Sequence, residues 1–292
     1  MKIAQIHCHA SRVAVSRCLL AIATVAAIAA PSKADITFYR VEKNVAYAQT
    51  SDAQPAAPNN FWGAVDVIFD NPLDLTAGFV TAPSPLSPMV LGGSPGFYIY
   101  YTPGFGSQAD LDTALPNGAP YQYHVSGGIL GNQSALLVTP GSNLFATATP
   151  AFTGNTYDQL QGTNSTAPQL LTFNGFATTP GATFSGTNLS IFRVSDGQFI
   201  YGTSGDNTLT STVIPANTLA PGTAYTIEMI YDNRVGTPQA GFNGATTEVL
   251  FDSRTYLTFT TAPVPEPGSL VLFGLGAVSV LATAARRYRR VA

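Results

Sequence analysis

The sequence predicts an all-β body held between two helices, a signal helix at the N-terminus and a single transmembrane helix at the C-terminus. Three observations carry this prediction. Charged residues make up 10% of the 292 residues, against about 25% in an ordinary soluble domain, which leaves polar surface to Thr, Ser, Asn, Gln and Gly. Between residues 35 and 262 short alternating runs of apolar and polar residues are bounded by Gly and Pro, with no sustained helical period. Concentrated apolar runs flanked by basic residues occur only at the two ends.

At the N-terminus, residues 1–17 carry Lys2, Arg12 and Arg17 and no acid. Cys18–Ala30 is an uncharged run of 13 residues, followed by Pro31, Ser32, Lys33 and Ala34. Basic, then apolar, then small residues is the pattern of a secretory signal peptide. It predicts a leader over 1–34, handled by the secretion translocon and cut by signal peptidase between Ala34 and Asp35. The apolar run is too short to span a bilayer core. Both cysteines, Cys8 and Cys18, lie in the leader. The exported body therefore has no disulfide framework and no thiolate metal site.

From Asp35 to Glu266, five basic residues (Arg40, Lys43, Arg193, Arg234, Arg254) stand against sixteen acidic ones, a net charge of −11. A body this acidic lacks the cationic surface that grips phosphate backbones, and nucleic acid is excluded as a partner. An N-terminal β-rich module is expected over 35–153. Within it Phe97–Tyr101 is apolar or aromatic throughout and reads as a central strand, while Tyr121, Tyr123 and Val125 alternate with Gln122 and His124. Residues 154–168 are polar and rich in breakers, the signature of a linker. In the second module, 169–262, Tyr225, Ile227, Met229 and Tyr231 share one strand face, and Leu257 and Phe259 another. Pro-Gly pairs at 95–96, 103–104, 140–141, 180–181 and 221–222 mark turns.

An internal echo links the two modules. Leu115 and Tyr121 bracket Pro116-Asn117-Gly118, and Leu219 and Tyr225 bracket Ala220-Pro221-Gly222. In each, a Leu, a Pro/Gly turn and a Tyr introduce an alternating strand. The second copy resembles the L-x-P-G-T-x-Y corner of fibronectin type III and related immunoglobulin-like sandwiches. The resemblance implies one or two such sandwich modules, with the Tyr packed at the corner before a late strand.

The C-terminal segment, 263–292, has three parts. Pro265-Glu266-Pro267 is followed by residues 268–285, which hold no charge, and then by Arg286, Arg287, Arg289 and Arg290. A helix over 268–285 is about 27 Å long and just spans a bilayer. The arginines act as a stop-transfer cluster that keeps their end in the cytoplasm. This tail resembles the PEP-CTERM sorting signal of exosortase substrates in Gram-negative bacteria. The resemblance implies export and recognition of Pro265-Glu266-Pro267 by a membrane-embedded transpeptidase-like exosortase. It further implies anchorage through 268–285 until the tail is removed, then residence at the cell surface or in the extracellular matrix.

Catalytic patterns are weak. Gly92-Gly93-Ser94-Pro95-Gly96 matches the nucleophile elbow G-x-S-x-G, but Pro95 has no N–H to serve an oxyanion hole, so a turn is expected. Gly104-Phe105-Gly106-Ser107-Gln108-Ala109 matches a dinucleotide fingerprint without the βα context that fingerprint requires, and is read as a loop. His124 is the only histidine beyond the leader, and is placed on the outward side of a strand. Asp66, Asp70 and Asp74 are evenly spaced, and Asp110 and Asp112 flank Leu111. The latter pair is a candidate surface calcium site, and paired carboxylates can also hydrolyse glycosides.

No catalytic residue, metal site or cofactor is assigned, and the chain is not expected to be an enzyme. The expected role is structural or adhesive, associated with exopolysaccharide. The alternatives are a carbohydrate-binding module, in which exposed Tyr residues and Trp62 stack on sugar rings, and a secreted hydrolase.

Overall fold

The computed structural model describes residues 36–69, 75–94, 96–128, 131–238, 242 and 245–263. Outside them lie Ala34 and Asp35 at the expected signal cleavage, the motif Pro265, Glu266 and Pro267, the segment 268–285, and Arg286, Arg287, Arg289 and Arg290. Asp70 and Asp74 are outside them as well. Among the described residues no helix is long and apolar enough to cross a membrane.

The first half contributes strands β1 (Ile36–Ala48), β2 (Asn60–Phe69), β3 (Ala77–Thr81), β4 (Met89–Ser94), β5 (Phe97–Tyr101), β6 (Pro120–Ser126) and β7 (Gln133–Val138), with one helix, α1 (Gln108–Ala114), before β6. β1-β2-β5 and β4-β3-β6-β7 form its two layers, joined where β4 pairs with β5. The alternation of Tyr121, Tyr123 and Val125 sends all three inward, each at most 2% exposed. They meet Tyr39, Val41, Val65 and Val67 from the opposite layer in one core. Tyr39 and Tyr123 pack edge to face with centroids 5.1 Å apart, and the Tyr123 hydroxyl donates to the Arg40 carbonyl.

The second half contains α2 (Thr156–Leu160), β8 (Gln169–Thr172), β9 (Phe184–Arg193), β10 (Phe199–Asp206), β11 (Ser211–Ile214), β12 (Ala224–Pro238) and β13 (Thr246–Thr260). β10-β9-β12-β13 forms one layer and β8-β11 the other. Tyr225, Ile227, Met229 and Tyr231 fill a second core with Leu257 and Phe259, as their alternation requires. α2 lies within the polar stretch 154–168, and its Leu160 packs in this core together with Phe152.

Both halves run through the same strand sequence. With β1 as strand A, the first half reads A, B, C, C′, E, F and G, its A-B-E layer facing C′-C-F-G. The second half repeats B through G as β8 to β13, with B-E facing C′-C-F-G. This is the immunoglobulin-type division of strands between layers. The corner before strand F is made the same way twice. The Tyr121 hydroxyl donates to the Pro116 carbonyl at 3.2 Å, and the Tyr225 hydroxyl accepts from Ala220 N–H at 2.7 Å. In each corner the partner lies five residues upstream, beside a buried Leu115 or Leu219.

The halves share one sheet. β1 pairs in parallel with β13 from Phe38↔Thr246 to Ala48↔Tyr256, so that eleven strands follow in the order β10-β9-β12-β13-β1-β2-β5-β4-β3-β6-β7. β12 and β13 are long enough to serve both cores. Their ends near Tyr225 and Phe259 lie in the second core, while Val249 and Phe251 lie in the first. Phe242, on the connection between the two strands, is 1% exposed and packs on Tyr39 with centroids 5.0 Å apart.

Candidate functional site

The candidate residues read from sequence are spread over the fold and engaged separately. Gly92–Gly96 spans the β4–β5 hairpin, where Gly96 has φ +92°. Gly104–Ala109 leads into α1, whose N-cap is Ser107. Asp110 accepts from the Ser107 hydroxyl at 2.7 Å and its own N–H caps back on the Ser107 side chain. Asp112 turns away and takes the Lys43 ammonium at 2.6 Å. Lys43 is 1% exposed; it also donates to Asn117 and Asn143, and burial lowers its pKa against the opposing pull of Asp112. Asp110 and Asp112 therefore serve a cap and a buried ion pair. His124 stacks on Phe79, centroids 4.6 Å apart. No group of three or more His, Cys, Asp or Glu suited to a metal ion occurs among the described residues.

Chemistry gathers instead on the shared sheet, on the face opposite the two cores. Strand alternation puts Arg40, Glu42 and Asn44 of β1 on this face, because Tyr39, Val41 and Lys43 point to the first core. Register then brings neighbours alongside: Arg40 lies opposite Asp66 of β2 and Glu248 of β13, Asn44 opposite Trp62 and Asp252, and Asp232 of β12 opposite Asp252. Six carboxylates and three guanidiniums make up this seam.

Arg254 is its hub. Its Nε donates to Asn44 Oδ1 at 2.5 Å, Nη1 to Glu228 at 2.8 Å, and Nη2 to both Glu42 at 2.8 Å and Asp252 at 2.7 Å. The guanidinium carbon also stands 5.1 Å from the centre of the Trp62 ring. One side chain of β13 thus holds β12, β1 and β2 together. Arg40 bonds Asp66 at 2.7 Å, and Arg234 pairs with Asp232 and, at 3.5 Å, with Glu248.

Carboxylates outnumber cations here, and the chain withdraws them from water. Asp66 is 0% exposed and Asp252 3%. Burial raises the Asp66 pKa to about 6 despite Arg40, helped by Glu42 and Glu248. Burial also pushes Asp252 well above the usual carboxylate range, with Glu42 and Asp232 adding to the effect and Arg254 opposing it. Glu248 rises for the same first reason. One oxygen of each of Asp66, Asp232 and Asp252 has no hydrogen-bond partner. Asp66, Asp232, Glu248 and Asp252 are each bound to an arginine, and the seam clamps the halves together.

At one margin of this face Trp62 meets Tyr101 of β5, ring centroids 6.0 Å apart and tilted by 57°. Tyr101 is 59% exposed. On the other side of Arg254, the Tyr256 hydroxyl donates to Glu228 at 2.8 Å. The charge pattern of this face carries a signal in the sequence that the strand reading passed over. Glu248, Asp252 and Arg254 recur on one face of β13 while Val249, Phe251, Ser253 and Thr255 occupy the other.

A separate pocket of about 780 Å³ lies at the far end of the second half, between Asn164–Thr166, Asn217–Pro221 and Pro263. Its lining carries no titratable side chain. The chain is pinned beside it, as Gly222 N–H donates to the Ala262 carbonyl and Ala262 N–H to the Thr163 carbonyl, both at 2.9 Å.

Residues 263–290 match the family described as PEP-CTERM protein-sorting motif. No curated protein matches the chain. Among solved structures, the crystal structure of chicken CNTN1 FN1–FN3 domains is 12% identical at a TM-score of 0.28, covering 76% of this chain and 68% of that one. A crystal structure of domains from titin is 10% identical at a TM-score of 0.24, and the match covers 75% of this chain and 62% of that one, under two thirds of its length.

Proposed function

From the PEP-CTERM sorting motif carried at residues 263–290, we propose that the chain is an exported, non-catalytic protein whose two-sandwich body works at the cell surface or in the extracellular matrix. Its role there is structural or adhesive and associated with exopolysaccharide. The sorting motif is the observation that carries this reading, since it implies export, a C-terminal membrane-anchoring signal and processing by an exosortase. In this reading signal peptidase cuts between Ala34 and Asp35, residues 268–285 hold the chain in the membrane with Arg286, Arg287, Arg289 and Arg290 inside, and the exosortase acts at Pro265-Glu266-Pro267.

The body suits such a role. Two sandwiches fused through a shared sheet make a rigid unit without disulfides, and its last strand ends at Thr260, shortly before the motif. The reading is tested by expressing the full chain with Pro265→Ala, Glu266→Ala and Pro267→Ala in a bacterium that has the exosortase. The triple variant should accumulate in the membrane fraction with its tail intact, while the wild type leaves it. Equal distribution of the two would contradict the proposal.

A further inference from the structure

The sheet face around Trp62 combines features that the clamp between the halves does not need. Tyr101 stands 59% exposed beside Trp62, so two aromatic rings border the polar surface. Aromatic rings present apolar faces to the C–H face of a pyranose while their surroundings hydrogen-bond its hydroxyls. Here the surroundings are rich in acceptors. Glu228 and Tyr256 lie next along the sheet, followed by Ser190 and Asn188 of β9, which are half-buried, and Ser204 of β10, which is exposed. From β5 across to β10 there are six steps between strands, about 29 Å at the usual strand spacing, room for several linked sugar units.

Charge selects among sugars. Four of the five N–H groups of Arg254 are already directed at Asn44, Glu228, Glu42 and Asp252. Arg40, Arg234 and Arg254 are each already paired with carboxylates of the seam. Carboxylates outnumber arginines six to three along the seam, which disfavours a polyanion.

We propose that Trp62 and Tyr101, with Arg254, Tyr256 and Glu228 beside them, form a binding platform for a neutral polysaccharide. The assignment rests on the exopolysaccharide-associated reading above and gives it a site and a ligand class. Trp62 positions itself against Tyr101 and reports on the site, because it is the only tryptophan in the chain.

The test is a fluorescence titration of the protein, purified from cells expressing the full chain, with a soluble neutral glucan and, separately, with alginate as an acidic polymer. The glucan should change Trp62 emission saturably and alginate should not. Tyr101→Ala should raise the half-saturating glucan concentration about tenfold, the size expected for one lost aromatic contact, with the thermal melt unchanged. A silent titration, a stronger response to alginate, or equal affinity in Tyr101→Ala would overturn the site. Co-sedimentation with isolated matrix separates the two levels. If both proteins sediment with matrix while Trp62 stays silent, only the site fails; if neither sediments, the adhesive reading fails with it.

Discussion

The Asp66 carboxyl accepts from Arg40 on one oxygen, and its other oxygen is buried without a partner. Its pKa of about 6, raised from the ordinary carboxylate value of 3.8, means that the folded chain holds this proton more tightly than the unfolded one. The group's favourable contribution is complete below about pH 4 and is lost as pH rises through 6. Over that interval the difference is on the order of 3 kcal/mol. Asp252 and Glu248 shift in the same direction for the same cause. Asp66→Asn keeps an acceptor for Arg40 and removes the ionisation. Its stability relative to wild type should therefore improve between pH 4 and pH 7, by up to about 3 kcal/mol, as read by urea unfolding at each pH. A constant offset between the two proteins across that range would show that Asp66 does not titrate there.

Elements explain why some of this was legible in the sequence and some was not. Tyr225 to Tyr231 and Tyr121 to Val125 were readable because a half-buried strand needs only its own alternation. The corner was readable because Leu, the Pro/Gly turn and Tyr are adjacent in sequence, and both copies formed. The pairing of β1 with β13 was not, because it joins residues some 200 apart and no local pattern specifies such a partner. The seam inherits that blindness: Arg254 meets Glu42 only once the strands are aligned. Phe97–Tyr101 does lie between two partner strands, β2 and β4, yet its residues remain half-buried or exposed, so a run of apolar residues did not mark a fully buried strand.

Two substitutions test the elements. Tyr225→Phe removes one corner hydrogen bond and should cost about 1 kcal/mol, measurable as a lowered urea midpoint at unchanged slope; no change would make the hydroxyl incidental. Phe242 lies on the β12–β13 connection but packs in the first core. Phe242→Ala should cost about 3–5 kcal/mol and weaken hydrogen-exchange protection in β1 and β6 beyond that in β8 and β11. Loss confined to β8 and β11 would contradict a hairpin that serves both cores.

At the scale of the molecule, the shared sheet makes one unit of two sandwiches and carries that unit directly to the sorting tail. The last described strand ends at Thr260, the chain is pinned at Ala262, and the matched sorting motif begins at 263. No folded segment intervenes between body and motif, so cutting at the motif releases the whole body intact. On the proposed function, this body is delivered, trimmed at both ends, to the cell surface or matrix. The most direct test is the intact mass of the protein recovered from producing cells and their matrix. The expected mass is that of a single species that starts at Asp35 and ends within Pro263–Gly268. A species that keeps residues 268–292 and is found only in membranes would contradict it.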